Sequence, residues 1–122
     1  MPPTFAPGKI SYLQLPATDV EESAAFYSTV FGWRLRRKED GRVSFDDGVG
    51  EVSGHWETGL PAAERPGLLV HVLVVDVEAT LEAVRAAGGR VVEAAHGAPP
   101  EVHALVADPA GNVIGVFAQG GW

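Results

Sequence analysis

Apolar side chains recur along this chain in two similar blocks, each built around one amphipathic helix. Val20, Ala24, Tyr27 and Phe31 fall at i, i+4, i+7 and i+11, which gathers them on one helical face. A shift of 57 residues carries Asp19-Val20-Glu21 onto Asp76-Val77-Glu78 and the same face onto Val77, Leu81, Val84 and Gly88. Thr18 or Asp19 can cap the first helix and Asp76 the second, because a short side-chain oxygen accepts the first free amide hydrogens. Gly32 and Gly88-Gly89 offer left-handed terminations. Strand-like runs precede the helices at residues 10–15 and 68–75 and follow them at 33–37 and 90–94.

The last strands repeat with a shift of 61, which aligns Asp47, Gly50, Val52, Gly54 and Trp56 with Asp108, Gly111, Val113, Gly115 and Phe117. The second block therefore carries four extra residues, assigned to a loop at His96-Gly97-Ala98-Pro99-Pro100. Each block predicts strand–helix–strand–strand–strand, with turns in the first at Glu39-Asp40-Gly41 and Asp46-Asp47-Gly48. Module one spans about 8–58, a linker about 59–67 and module two about 68–118, within one α+β domain of 122 residues. A half of roughly 55 residues buries too little surface to stand alone, so two halves share a sheet or four combine in a dimer.

Composition narrows the function. With 46% apolar and 20% charged residues the chain can fill a core. Its most apolar stretch, residues 68–75, is interrupted by His71 and falls far short of the roughly 20 residues of a spanning helix. No basic segment followed by an apolar run opens the chain, so the expectation is a cytoplasmic protein without a membrane partner. The net charge of −7 argues against nucleic acid; it suits a cationic ligand, or simply solubility. With no cysteine, disulfides, thiolate nucleophiles and zinc–sulfur sites drop out. No Ser–His–Asp set, paired carboxylates or phosphate loop can be read from the sequence.

Several strings, in order and at matched spacing, resemble the vicinal oxygen chelate superfamily of glyoxalases, extradiol dioxygenases and bleomycin-type resistance proteins. They are Leu15-Pro16-Ala17-Thr18-Asp19-Val20, Ala25-Phe26-Tyr27, Phe31-Gly32-Trp33, Val75-Asp76-Val77-Glu78-Ala79, Ala87-Gly88-Gly89 and Ala107-Asp108-Pro109-Ala110-Gly111-Asn112. The resemblance implies two βαβββ modules that curve a mixed sheet around a cup, usually in a homodimer. It does not choose an activity, because function resides in the site. In metal-using members the ligands are a His seven residues before the helix-opening Asp and a Glu three residues after the Gly-Asn pair. The matching positions here are Tyr12 and Leu69, Gly115 and, through the repeat, Gly54. Glycine and leucine side chains have no donor atoms, so the expectation is no metal and no cofactor. A two-residue slip would place His71, with Gln14 as its repeat mate, in those slots.

If Tyr12 and Leu69 face the cup, strand alternation turns Gln14, His71, Leu73 and Val75 the same way. On the last strands Gly54 shares a face with Val52 and Trp56, and Gly115 with Val113 and Phe117. The expected ligand-binding set is Tyr12, Gln14, Gly54, Trp56, His71, His103, Gly115 and Phe117, a mixture of aromatic walls and sparse polar groups. The two glycines either open room for a ligand or permit close packing. His71 is either a core histidine bonded to Gln14 or a ligand contact, and His103 either rims the cup or lies on a solvated edge. His55 falls on the face opposite Gly54 and is left out, as is His96 in its loop. Trp33 reads as packing, Trp122 as a terminal residue, and Arg34, Arg36, Arg37 and Lys38 as a solvated face. The expected function is metal-free binding of a small, antibiotic-like organic molecule of aromatic or cationic character. The alternatives are a lyase or isomerase, metal-dependent or using Tyr12 and His71 as acid–base groups, and a protein whose filled cup serves assembly.

Overall fold

The computed structural model describes residues 3–120, so Trp122 lies outside the described residues. The elements run β1 (Tyr12–Pro16), α1 (Val20–Phe31), β2 (Arg34–Arg37), β3 (Val43–Asp46), β4 (Ser53–Glu57), β5 (His71–Leu73), α2 (Val77–Ala86), β6 (Arg90–Ala98), β7 (Glu101–Ala107) and β8 (Val113–Ala118). Both helices begin as the sequence predicts. Asp19 accepts from the amide of Glu22 at 3.1 Å, and Asp76 accepts from that of Ala79 at 3.1 Å. Gly32 ends α1 at φ +71°, where a side chain would be strained.

Each module forms its own four-stranded sheet, in the orders β1-β4-β3-β2 and β5-β8-β7-β6. In both, the first strand pairs parallel with the last and the remaining pairs are antiparallel. This is the α+β fold of two βαβββ modules. Strand β5 is shorter than the apolar run suggests, although flanking bonds from Gly115 to Val70 and from Val74 to Phe117 extend the pairing at both ends. The predicted loop at residues 96–100 is a correction. Strand β6 continues through Ala98 and only Pro99-Pro100 turns the hairpin. The extra residues are absorbed by two irregularities in the β6–β7 register, so they lengthen and bend a strand.

The repeat itself needs a one-residue correction. The last strands start at Ser53 and Val113, an offset of 60, whereas the preceding turns start at Asp47 and Asp108, an offset of 61. The first turn closes with the Asp47 amide on the Val52 carbonyl, and the second with the Asp108 amide on the Asn112 carbonyl, one residue sooner. In strand register Gly115 therefore corresponds to His55 and Phe117 to Glu57. A shift of one residue reverses which face a side chain takes.

One hydrophobic core joins the modules. Tyr27 stacks on Trp33 with ring centroids 4.6 Å apart, Trp33 on Phe45 at 4.5 Å, and Phe45 meets Trp56 at 4.8 Å. The predicted helical faces supply Ala24, Tyr27, Val77, Leu81 and Val84 to this core. Phe26, which the spacing does not select, is buried as well, because α1 packs against α2 in addition to its own sheet. Trp33 is buried as packing.

A polar staple crosses the core. The Tyr27 hydroxyl donates to Asp108 Oδ2 at 2.7 Å, and Asn112 Nδ2 donates to the Pro16 carbonyl at 2.8 Å and to Asp108 Oδ2 at 2.9 Å. Asn112 Oδ1 accepts from the linker amide of Ala63 at 2.8 Å. Burial, then the neighbouring charge of Asp108 and its hydrogen bond, push the Tyr27 phenol well above its ordinary range. Above about pH 10 an unfolded chain therefore loses this proton while the folded chain keeps it. Unfolding draws off fewer protons at lower pH, so this stability is intact below pH 10 and falls as pH rises beyond it. Urea denaturation from pH 9 to 11.5 should show that slope in the native protein and a shallower one in Tyr27→Phe.

Candidate functional site

Each sheet packs one face against the helices and leaves the other more open, although Ser44 and Gly115 on it are buried. Parallel pairing sets Tyr12 beside Ser53 and Gln14 beside His55, and Ser44 and Arg36 continue the second row across the sheet. On this first open face the Tyr12 hydroxyl lies 2.6 Å from His55 Nδ1. His55 Nε2 lies 3.6 Å from Glu57 Oε1, and Gln14 Nε2 donates to Glu57 Oε2 at 2.6 Å. Ser53 donates to Asp46 at 2.7 Å, and Arg36 pairs with the same carboxylate at 3.0 Å. The face is polar throughout.

The second open face is built differently. His71, Gly115 and Leu105 share one row, and Leu73, Phe117, His103 and His96 share the next. His96 stacks on His103 with centroids 5.7 Å apart and planes 19° apart, and His103 stacks on Phe117 at 6.1 Å and 14°. The His71 ring meets Phe117 edge-on at 6.2 Å and 82°. The result is a row of three near-parallel rings with His71 edge-on at its end, and Glu93 Oε1 lies 3.0 Å from His96 Nε2. Beside it, an apolar cleft of about 340 Å³ opens between the modules, lined by Leu13, Trp33, Phe45, Val70, Val72 and His71.

Of the eight residues expected to bind ligand, Tyr12 and Gln14 stand on the first open face, and His71, His103, Gly115 and Phe117 gather on the second. Gly54 and Trp56 do not join them. Both are buried on the helix side of β4, where Trp56 packs on Phe45 and Tyr27. At both glycines the adjoining space is filled by this chain's own atoms. A β-carbon at Gly54 would overlap the Leu13 carbonyl and the Phe45 ring, and one at Gly115 would overlap the His71 ring. His71 is exposed, and it lies across Gly115 rather than bonding to Gln14, which sits on the other sheet.

His55, Glu57 and His96 were missed. The 61-residue alignment anchored on the turn put His55 on the wrong face, and the loop reading hid His96. The signal available for His55 was its parallel partner, Gln14. The neighbour of Tyr12 within one chain is thus His55 and not His71.

The strand pairing also relocates the positions of metal-using relatives. Gln14 and His55 stand side by side in the first sheet, and His71 and Gly115 in the second. Gly115 offers no donor, and the His55 ring nitrogens face Tyr12 and Glu57. Among the described residues no three His, Cys, Asp or Glu side chains converge as a metal site.

Comparison with known proteins adds a sequence and a fold relation. A family model described as "Glyoxalase-like domain" matches residues 12–117. A glyoxylase-like domain-containing protein of Didymella fabae is 33% identical, covering 68% of this chain and 70% of its own. A glyoxalase/bleomycin resistance protein/dioxygenase family enzyme of Burkholderia phytofirmans PsJN superimposes with a TM-score of 0.72 at 18% identity, covering 90% of this chain and 98% of the other. A glyoxalase/bleomycin resistance protein of Albidiferax ferrireducens T118 gives 0.71 at 22% identity, covering 91% and 98%. At these identities the two structures speak for the fold alone.

Proposed function

Because the chain belongs to the glyoxalase-like family of the vicinal oxygen chelate superfamily, we propose that it binds a small, planar organic molecule without a resident metal. The observation that carries this is the near-parallel row His96–His103–Phe117, with His71 edge-on at its end, in which the three histidines are exposed and Phe117 is half-buried. Flat rings give a planar ligand a stacking surface, and the adjoining 340 Å³ cleft accepts an apolar substituent. The polar groups of the first open face supply orientation through hydrogen bonds. An antibiotic-like aromatic compound, sequestered in the cytoplasm, suits this division between stacking and polar contact.

A second copy completes the reading. Tyr12 is 54% exposed and Leu73 43%, so both open faces of one chain remain uncovered. Pairing two copies so that the polar face of one meets the aromatic face of the other encloses a ligand between them. The alternative pairing of Tyr12 with His71 as acid–base partners finds no support within one chain.

Titration calorimetry with a panel of planar aromatic compounds tests the binding. Saturable binding is expected, weakened roughly three- to tenfold in Phe117→Ala and largely retained in His103→Phe, which keeps the flat ring. Trp56→Ala is no test of it, since that indole lies in the core. Binding indifferent to Phe117, or no binding across the panel, contradicts the reading.

A further inference from the structure

Next to the row of rings the molecule is hollow. The cleft of about 340 Å³ follows Val70, His71, Val72 and Leu73 in succession, a run of about 10 Å at strand spacing. A second hollow of about 120 Å³ continues toward the linker, where Pro66 and Leu68 line it. The two share Leu13, Trp33, Val70 and Val72, which sets them end to end beside the free edges of β1 and β5. The polar side chains of the inner hollow are already engaged. Tyr27 is bound to Asp108, Gln14 to Glu57, and Asn112 to Ala63, Pro16 and Asp108. What remains there for an occupant is mostly hydrocarbon.

Charge is confined to the outer end. Asp47 lines the cleft beside Val49, which is 76% exposed and marks the mouth. The amides of Glu51 and Val52 both bond to Asp47 Oδ1, which leaves Oδ2 for a cation. Among the described residues neither hollow is lined by a lysine or an arginine, so nothing there would neutralise an anion.

We propose that the ligand is a cationic amphiphile. Its flat, positively charged head rests between the ring row and Asp47, and an unbranched alkyl chain runs past His71 into the cleft. His71 joins the two parts, since it lines the cleft and meets Phe117 edge-on. Hollows set in line suit a chain better than a compact group, and each methylene buried there tightens binding about fourfold. A cation against an aromatic ring gains attraction that an anion lacks. The inference deepens the ligand reading above and rests on it for the seat of the head.

N-alkylpyridinium salts from ethyl to decyl, titrated calorimetrically below their micelle concentrations, test it. Affinity is expected to rise about fourfold per methylene and then level once the hollows are full. Val70→Phe narrows the junction of the two hollows. It should weaken octylpyridinium at least tenfold and leave ethylpyridinium unchanged, a difference that general damage to the fold does not produce. Octanoate should bind at least tenfold more weakly than octylpyridinium, and Asp47→Asn, which keeps an oxygen for the two amides, should narrow that gap. Affinity that does not rise with chain length in the native protein overturns the proposal, as does Val70→Phe weakening all lengths alike. Octanoate binding as tightly as octylpyridinium overturns the cationic head. Planar compounds that depend on Phe117 but not on chain length overturn the channel and leave the stacking reading standing. Chain-length dependence that survives Phe117→Ala supports the channel and counts against the ring row.

Discussion

Asp108→Ala is expected to destabilise the fold by about 4 kcal/mol, read as a lowered urea midpoint with an unchanged slope. Asp108 is 3% exposed and receives four donors, from the Tyr27 hydroxyl, the Asn112 side chain and the backbone amides of Ala110 and Asn112. Alanine leaves all four without this acceptor, three of them in buried bonds. Each unmet donor costs about 1–3 kcal/mol, and water entering the vacated volume restores part of that. Against a typical domain stability of about 5–15 kcal/mol this is a large loss. Asp108→Asn should fall between the two, because it keeps one acceptor oxygen for the amides but turns an amide donor toward Tyr27 or Asn112. A loss under about 1 kcal/mol for alanine would show that the modules are joined by apolar packing alone.

Gly54→Ala and Gly115→Ala should differ sharply, although the sequence repeat presents them as equivalents. At Gly54 the new β-carbon would overlap the Leu13 carbonyl and sit 2.5 Å from Phe45 Cζ. A backbone oxygen and a fully buried ring cannot move aside cheaply, so we expect a loss of at least about 3 kcal/mol. At Gly115 the nearest atoms all belong to the His71 ring, an exposed side chain that can rotate away. That variant should lose less than about 1 kcal/mol. Thermal melts of the two proteins decide the matter. Equal losses would mean that the two glycines share a face and that the 60-residue strand offset is misplaced.

That contrast also marks the limit of what the sequence reveals. Helix positions, their aspartate caps and the succession of elements in each module are local or repeat-encoded features, and all were legible. Alternation alone groups Tyr12 with Gln14 on β1 and His71 with Leu73 on β5, and all four are exposed. Beyond the turn that begins at Asp47 the reading failed by one residue. Aspartates and glycines of similar turns align by chemistry, but nothing in them records that one turn closes a residue sooner. The strand behind it then presents the opposite face, so Trp56 lies in the core and His55 beside Gln14 on the open face. His96 was hidden for a different reason. Glycine and prolines near it signal a loop, yet bulged pairing with β7 carries the strand through Gly97 to Ala98.

Among the described residues, strand β2 borders its sheet with no neighbour beyond it. Such a margin offers unpaired amides and carbonyls that another polypeptide can zip onto. Here Arg34, Arg36 and Arg37 stand along four residues of that margin, and Lys38 follows at once. Arg36 pairs with Asp46 and Arg37 with Glu21, so the repulsion between two copies approaching border to border falls mainly to Arg34 and Lys38. The protein is thereby guarded against fibril-like stacking on this side.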